Sequence, residues 1–245
     1  DALLERVFIT FPDTPAAART GFTEQGLAQD KLLARADAFH DAMDYEQAQR
    51  LWEGAWTAGE RSPALAYKLA RSHLIEVRDD PDRTLTLLDV AQAGGAVSPE
   101  DALFLRGRAL ARKEDYVRAG VLYRAYLTRW PKGKRAADAR YYLAWMPYDH
   151  REYRKALPLM DDFLKRVPKH DLRSYILWAK GWSLYRLKRY KAAIKAFEDM
   201  IPLGNNLVAG KAFYWGGMAQ HALGKHGEAR EWMHRVIDHR AGQLE

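Results

Sequence analysis

The sequence predicts an all-α fold: a right-handed α-solenoid of helical hairpins, about six pairs after a leading half-repeat. Three observations carry this. First, a short phrase recurs: Tyr45-Glu46-Gln47-Ala48, Tyr116-Val117-Arg118-Ala119, Tyr153-Arg154-Lys155-Ala156 and Tyr190-Lys191-Ala192-Ala193, with weaker copies at Pro81-Asp82-Arg83-Thr84 and His226-Gly227-Glu228-Ala229. Second, its last positions (48, 84, 119, 156, 193 and 229) step by 36, 35, 37, 37 and 36 residues. A fixed period of this size marks a helix–turn–helix array in which no unit buries its apolar face alone. Third, no stretch alternates with period two for long enough to make a strand.

Residues 1–12 read as the end of a repeat. Phe8-Ile9-Thr10-Phe11-Pro12 resembles Tyr126-Leu127-Thr128-Arg129-Trp130-Pro131 and Phe163-Leu164-Lys165-Arg166-Val167-Pro168. In each, an amphipathic helix runs into a proline, which has no N–H and restricts the residue before it. The chain is therefore expected to start inside a repeat and to be a piece of a longer protein. Asp13-Thr14-Pro15 has the cap-then-proline form of a helix start. Gly21 and Gly26 weaken any helix beyond that start. A firm helix is expected from about Leu27 to Ala42. Its partner spans 44–58, with Ala48, Leu51, Trp52 and Ala55 on one stripe.

The second pair covers about 63–77 and 81–93, opened by Ser62-Pro63 and Asp80-Pro81 and closed by Gly94-Gly95. Ser98-Pro99-Glu100-Asp101 starts the third pair, 99–112 and 115–129, with a cap followed by acids that complement the helix dipole. The remaining pairs fall at about 134–147 and 151–166, 171–187 and 190–201, and 207–223 and 226–240. Pro158, inside a predicted helix, should kink it or remove one backbone bond.

Composition narrows the function classes. The chain has 245 residues, 48% of them apolar, and a repeat array of that length is read as one domain over 1–245. No apolar run is long enough to span a bilayer as a helix. No secretory leader is visible. Cysteine is absent, which excludes disulfides, thiolate zinc sites and thiol catalysis, and fits either periplasm or cytoplasm. The net charge of +7 is uneven: residues 1–60 carry −6 and the rest +13. Residues 150–195 hold 13 Lys/Arg against 4 Asp/Glu. Such a surface favours anionic partners; it is equally the solvated face of an Arg-rich protein.

The offsets between Gly107, Ala119, Tyr123, Tyr126 and Pro131 resemble the tetratricopeptide repeat. Its small residue on the first helix matches Ala36, Gly107, Ala144, Gly181 and Gly217. Its alanine on the second matches Ala48, Ala119, Ala156, Ala193 and Ala229, and its terminal proline matches Pro131 and Pro168. The last third carries a narrower resemblance. Trp178-Ala179-Lys180-Gly181-Trp182-Ser183-Leu184-Tyr185, and then Ala212-Phe213-Tyr214-Trp215-Gly216-Gly217 with Leu223-Gly224-Lys225, are similar to the superhelical, non-catalytic region of bacterial soluble lytic transglycosylases. That resemblance implies a periplasmic protein near the cell wall, with a catalytic domain after Glu245. Periplasmic tetratricopeptide assembly factors share much of the pattern.

No catalytic, cofactor or metal constellation emerges. Gly26-Leu27-Ala28-Gln29 looks like a fragment of a transglycosylase motif, but the glutamate-serine pair that would do the chemistry is absent. His221, His226, His234 and His239 form neither His-Glu-x-x-His nor helical i,i+4 pairs, and are read as surface histidines. Gly94-Gly95 and Gly216-Gly217 lack the strand and lysine of a phosphate loop.

The sharper functional signal is aromatic. Counted from the repeat alanine, the inner face of the fifth pair presents Tyr175, Trp178, Trp182 and Tyr185. The fourth presents Tyr141, Trp145 and Tyr148, the sixth Tyr214 and His221, and the third Phe104 and Arg108. Such a groove would stack on sugars, grip a peptide or hold single-stranded nucleic acid. The competing reading is that the stripe is core between repeats. The expected function is binding without catalysis. One form is the scaffold of a periplasmic cell-wall lytic protein, with protein or peptidoglycan as partner. The alternative is a free-standing adaptor for a protein or peptide, with nucleic acid a distant third.

Overall fold

Caps, prolines and a repeated left-handed turn set the helix boundaries. The computed structural model describes residues 2–75, 80–203 and 206–241, without the side chains of 75, 206, 207 and 238–241. The expected end of the second pair's first helix at 76–77, the side chain of His239 and the terminal Glu245 lie outside the described residues. The helices are α1 (Ala2–Thr10), α2 (Pro15–Ala18), α3 (Gln29–Asp41), α4 (Tyr45–Thr57), α5 (Pro63–Ile75), α6 (Pro81–Ala93), α7 (Pro99–Arg112), α8 (Tyr116–Arg129), α9 (Ala136–Asp149), α10 (Tyr153–Arg166), α11 (Arg173–Arg186), α12 (Tyr190–Met200), α13 (Asn206–Ala222) and α14 (His226–Ala241), with a 3-10 turn at Ile201–Leu203. Among the described residues there is no strand, and α3 to α14 fall into six successive pairs.

The turn inside five of the six pairs is built the same way; that of the second pair lies outside the described residues. Met43, Glu114, Arg151, Lys188 and Gly224 adopt positive φ, at 65, 59, 61, 58 and 76°. The N–H of the residue after each then bonds back along the chain: Asp44 to the Phe39 carbonyl at 2.9 Å, Asp115 to Leu110 at 3.0 Å, Glu152 to Pro147 at 2.8 Å, Arg189 to Leu184 at 2.8 Å and Lys225 to Gln220 at 3.0 Å. This arrangement satisfies carbonyls that a helix end leaves over. Asp44 and Asp115 also cap the helix they lead into, accepting from the N–H of Gln47 at 3.1 Å and of Arg118 at 3.0 Å. Glu152 and Arg189 stand at the same place without a capping bond.

The chain divides into two compact units, Asp1–Leu122 and Tyr123–Glu245. In the first, the core gathers Ala36, Phe39, Ala48, Leu51, Trp52, Leu69, Leu87 and Leu88. The stripe Ala48, Leu51, Trp52 and Ala55 is buried as its spacing requires. Arg35 ties the leading segment down: its guanidinium lies 3.8 Å from the Phe8 ring centre and 4.7 Å from that of Phe39. It also donates to the Phe8 carbonyl and pairs with Glu24. The helix begun by Thr14 is short, ending at Ala18 before Gly21 and Gly26, both at positive φ. Gln29, from the motif-like Gly26–Gln29 run, simply opens α3.

In the second unit the core runs through Ala156, Met160, Phe163 and Ile176, and through Leu177, Ala193, Phe197, Met200 and Trp232. Small residues permit the close approach. A Cβ on Gly181 would stand 2.5 Å from Cε1 of Phe197, which is itself fully buried. The obstacle there is a partner ring rather than the partner backbone. Pro158 is exposed within a continuous α10, so it does not end the helix and leaves it one backbone donor short.

Candidate functional site

The first helices of the last three pairs, α9, α11 and α13, carry the aromatic residues. Each helix puts a small residue against its partner helix. On α9 and α11 the aromatics stand three positions before it and one and four after it, so they share a neighbouring stripe. On α9, Tyr141 stacks on Trp145 with ring centres 5.5 Å apart and planes 20° apart, and Trp145 meets Tyr148 at 5.0 Å. On α11, Trp178 and Trp182 stack at 6.2 Å and 12°, and Trp182 and Tyr185 at 5.8 Å and 12°. Trp215 of α13 lies edge-on to Trp182 at 4.6 Å and to Tyr185 at 5.4 Å. The α9 and α11 sets are joined by a hydrogen bond between Trp178 and Tyr148.

The result is a continuous ladder, Tyr141, Trp145, Tyr148, Trp178, Trp182, Tyr185 and Trp215, in which every ring is half-buried. One side rests on the apolar core and the other is open to solvent. Burial pushes the Tyr141 phenol up to about 12, helped by the nearby phenols of Tyr142, Tyr175 and Tyr148. Burial likewise raises Tyr148, aided by Tyr153 and opposed by the bond from Trp178. Arg186, at the end of α11, sits 5.7 Å from the Trp182 ring centre and 5.9 Å from that of Tyr153.

The remaining candidates separate. Tyr175 and Tyr214 are the open ones, 56% and 43% exposed. Phe104 and Arg108 belong to the first unit. Phe104 is 4% exposed, and Arg108 donates to the Leu74 carbonyl at 3.2 Å. The equivalent positions on α3 are polar: Asp37 stands one after Ala36, as Trp145 and Trp182 follow Ala144 and Gly181, and His40 stands where Tyr148 and Tyr185 do. Asp37 accepts from Trp52 Nε1 at 3.1 Å and from Lys68 at 2.6 Å, beside a cavity of about 260 Å³ that Tyr45 and Arg71 also line. Among the described residues, no three or more His, Cys, Asp or Glu side chains converge as a metal would need.

Sequence counting missed Trp215. Taking Gly217 as the counterpart of Gly181 put Tyr214 in the place of Trp178. Gly217 does face α14, where a Cβ would stand 3.3 Å from the Ala229 carbonyl oxygen, but by ring contact it is Gly216 that corresponds to Gly181. A Cβ on Gly216 would overlap the ring of Trp232, sixteen residues on, as one on Gly181 would press on Phe197, also sixteen on. Phe213 then takes the place of Trp178 against its partner ring, and Trp215 turns toward α11. The signal was present in the Gly216-Gly217 doublet, which allows either register.

Six successive helical pairs with small residues at the crossings define a tetratricopeptide-like repeat protein. Residues 97–203 match the profile of a family described as YfiO, "Outer membrane lipoprotein". No curated protein matches the chain. Among solved structures, it is similar to the C-terminal part of a tetratricopeptide repeat-containing protein from Cytophaga hutchinsonii, at 17% identity and a TM-score of 0.68, covering 85% of this chain and 79% of that one. MamA from Desulfovibrio magneticus gives 19% identity and 0.59, covering 76% and 99%. A tetratricopeptide repeat protein from Parabacteroides merdae gives 12% and 0.58, covering 96% and 90%. At these identities the likeness is one of fold. None of these matches is a lytic transglycosylase.

Proposed function

We propose that this chain is a non-catalytic binding and scaffold protein that holds a peptide segment of a protein partner on the aromatic ladder of its second unit. The observation that carries this is the half-burial of seven contiguous rings, flanked by the exposed Tyr175 and Tyr214. Large aromatics with one side anchored in a core offer contact area at little further entropic cost, which suits peptide and protein recognition. Stacking on bases or sugars needs free ring faces. Here the rings of Trp178, Trp182 and Tyr185 lie nearly parallel along α11 and all three are half-buried, so much of their ring surface is already taken up by the protein.

The profile match to an outer membrane lipoprotein family supports a place on the periplasmic side of a bacterial outer membrane. Among the described residues no helix is long and apolar enough to cross a membrane. The lytic-enzyme setting rests on sequence resemblance alone, and an adaptor for a protein or peptide is equally consistent with the repeat fold. Reading residues 1–245 as one repeat domain rests on the unbroken period.

Selection from a random peptide display library tests the reading. Peptides enriched on the wild type should lose at least tenfold in affinity toward Tyr175→Ala or Tyr214→Ala, two changes at exposed rings that leave the fold alone. Peptides that bind both variants as well as wild type would show that the ladder is not the site.

A further inference from the structure

A pair of imidazoles at the turn between α13 and α14 offers a site that the ladder does not use. His221 ends α13 and His226 opens α14, five positions apart across the turn and both exposed. Their Nδ1 atoms are 3.1 Å apart, their ring centres 4.8 Å apart and their planes 55° apart. Two arrangements bring a pair of ring nitrogens this close. In a straight N–H···N hydrogen bond the rings point at each other, and with a ring radius of about 1.2 Å the centres would be about 5.5 Å apart at this nitrogen separation. If both lone pairs instead aim at one point about 2.0–2.1 Å from each nitrogen, the usual zinc–imidazole bond, the angle there is about 100° and the ring centres fall about 4.9 Å apart. The observed 4.8 Å is shorter than a straight bond gives and agrees with the converging arrangement, in which the same contact is a bent N–H···N bond when no ion is bound.

We propose that His221 and His226 form a preorganised two-imidazole chelate for a borderline divalent cation such as Zn²⁺, Ni²⁺ or Cu²⁺. An angle near 100° lies between the tetrahedral and square arrangements, so the pair accommodates either preference. The turn holds the ligands in place: Gly224 takes φ +76°, and the N–H of Lys225 bonds the Gln220 carbonyl at 3.0 Å. No other His or carboxylate completes the site among the described residues, which leaves the other coordination positions to water or to a ligand from outside the chain. Both Nδ1 atoms must be unprotonated to bind, so each neutral ring carries its hydrogen on Nε2 and the ion takes the place of the hydrogen between the two Nδ1 atoms. Spanning the turn, the ion would clip α13 to α14. The i,i+4 rule for helical metal pairs could not find the site, because the two residues lie on different helices.

Untagged, chelator-washed full chain titrated with NiCl₂ and separately with ZnCl₂, by calorimetry and thermal melting, is the test. Saturable binding of one ion per chain and a rise in melting temperature are expected. His221→Asn or His226→Gln alone should weaken binding at least tenfold and remove the rise, and His234→Ala, at another exposed histidine of α14, should leave both unchanged. Circular dichroism of each variant without metal confirms that the hairpin is intact. No uptake by wild type at 0.1 mM metal, on the order of a hundred times a micromolar Kd, would overturn the proposal. So would equal binding by the two histidine variants, which would leave a hydrogen-bonded pair only.

Discussion

Helix α13 carries two glycines whose replacement by alanine should have opposite signs. At Gly210 a Cβ would meet nothing within 4 Å. Alanine there gains helix propensity and should stabilise by about 0.5–1 kcal/mol. At Gly216 the same Cβ would overlap Cζ3 and Cε3 of Trp232 and stand 2.7 Å from Cη2. Trp232 is 8% exposed and edge-on to Phe213 at 6.0 Å, so its ring has nowhere nearby to go. Expelling a buried ring costs about as much as deleting it, roughly 3–5 kcal/mol, and the propensity gain returns about 1. The net expectation is a loss of about 2–4 kcal/mol. Urea unfolding by circular dichroism measures both, and hydrogen exchange on α13 and α14 localises the effect, since repeat arrays need not unfold in one step. In a Trp232→Ala background, Gly216→Ala should become neutral or stabilising, giving a coupling of several kcal/mol. If Gly216→Ala alone unfolds within about 0.5 kcal/mol of wild type, α13 and α14 are not as close as described and the register that equates Gly216 with Gly181 fails.

Other expectations come from the turns, the leading segment and the ladder. Lys188 and Glu114 sit in the left-handed region, so Lys188→Gly and Glu114→Gly should each raise stability by about 1 kcal/mol in the same urea assay. Arg189, at φ −87° and ψ 58°, occupies the conformation in which Asp44, at −84° and 76°, caps its helix; Arg189→Asp should add about 1 kcal/mol by capping α12. Arg35→Ala leaves the Phe8 carbonyl without its buried donor and Glu24 with Arg50 as its remaining partner, and should cost about 2 kcal/mol and speed amide exchange in α1 first. The Tyr141 phenol is raised from 10.0 to about 12, so the folded state holds a proton that the unfolded chain releases earlier. Its contribution is complete below pH 10 and is lost as pH rises toward 12; alkaline unfolding of Tyr141→Phe should depend less steeply on pH across that window.

Much of the fold was legible because it is written in backbone-level signals. Asp44, Asp80 and Asp115 are capping residues at the predicted starts of α4, α6 and α8, and each accepts the expected N–H. Ala48, Ala119, Ala156 and Ala193 are fully buried because the crossings they mark recur once per period. The sixth pair was less legible: two adjacent glycines both satisfy a small-residue rule and both face α14, Gly216 against the ring of Trp232 and Gly217 against its Cβ and the Ala229 carbonyl. The His221–His226 pair was invisible for a related reason, since no single-helix spacing describes two ligands joined through a turn.

The aromatic stripe was harder to read for a reason that lies in its geometry. Helical periodicity places Tyr141, Trp145 and Tyr148 at i, i+4 and i+7, and Trp178, Trp182 and Tyr185 likewise, which fixes the direction each set faces. It does not fix how much of each ring the next hairpin covers. That depends on residues such as Trp215, about thirty positions further along the chain, which closes over Trp182 and Tyr185 but not over Tyr175. Core and groove are therefore not exclusive for such rings. The same Trp178 rests on Phe197 at 5.9 Å and bonds Tyr148 on the α9 side, so truncating it would disturb packing and surface together. A binding role is best separated from a structural one at the two rings with least to lose, Tyr175 and Tyr214. A loss of affinity there, with melting unchanged, is an outcome that a purely structural stripe cannot produce.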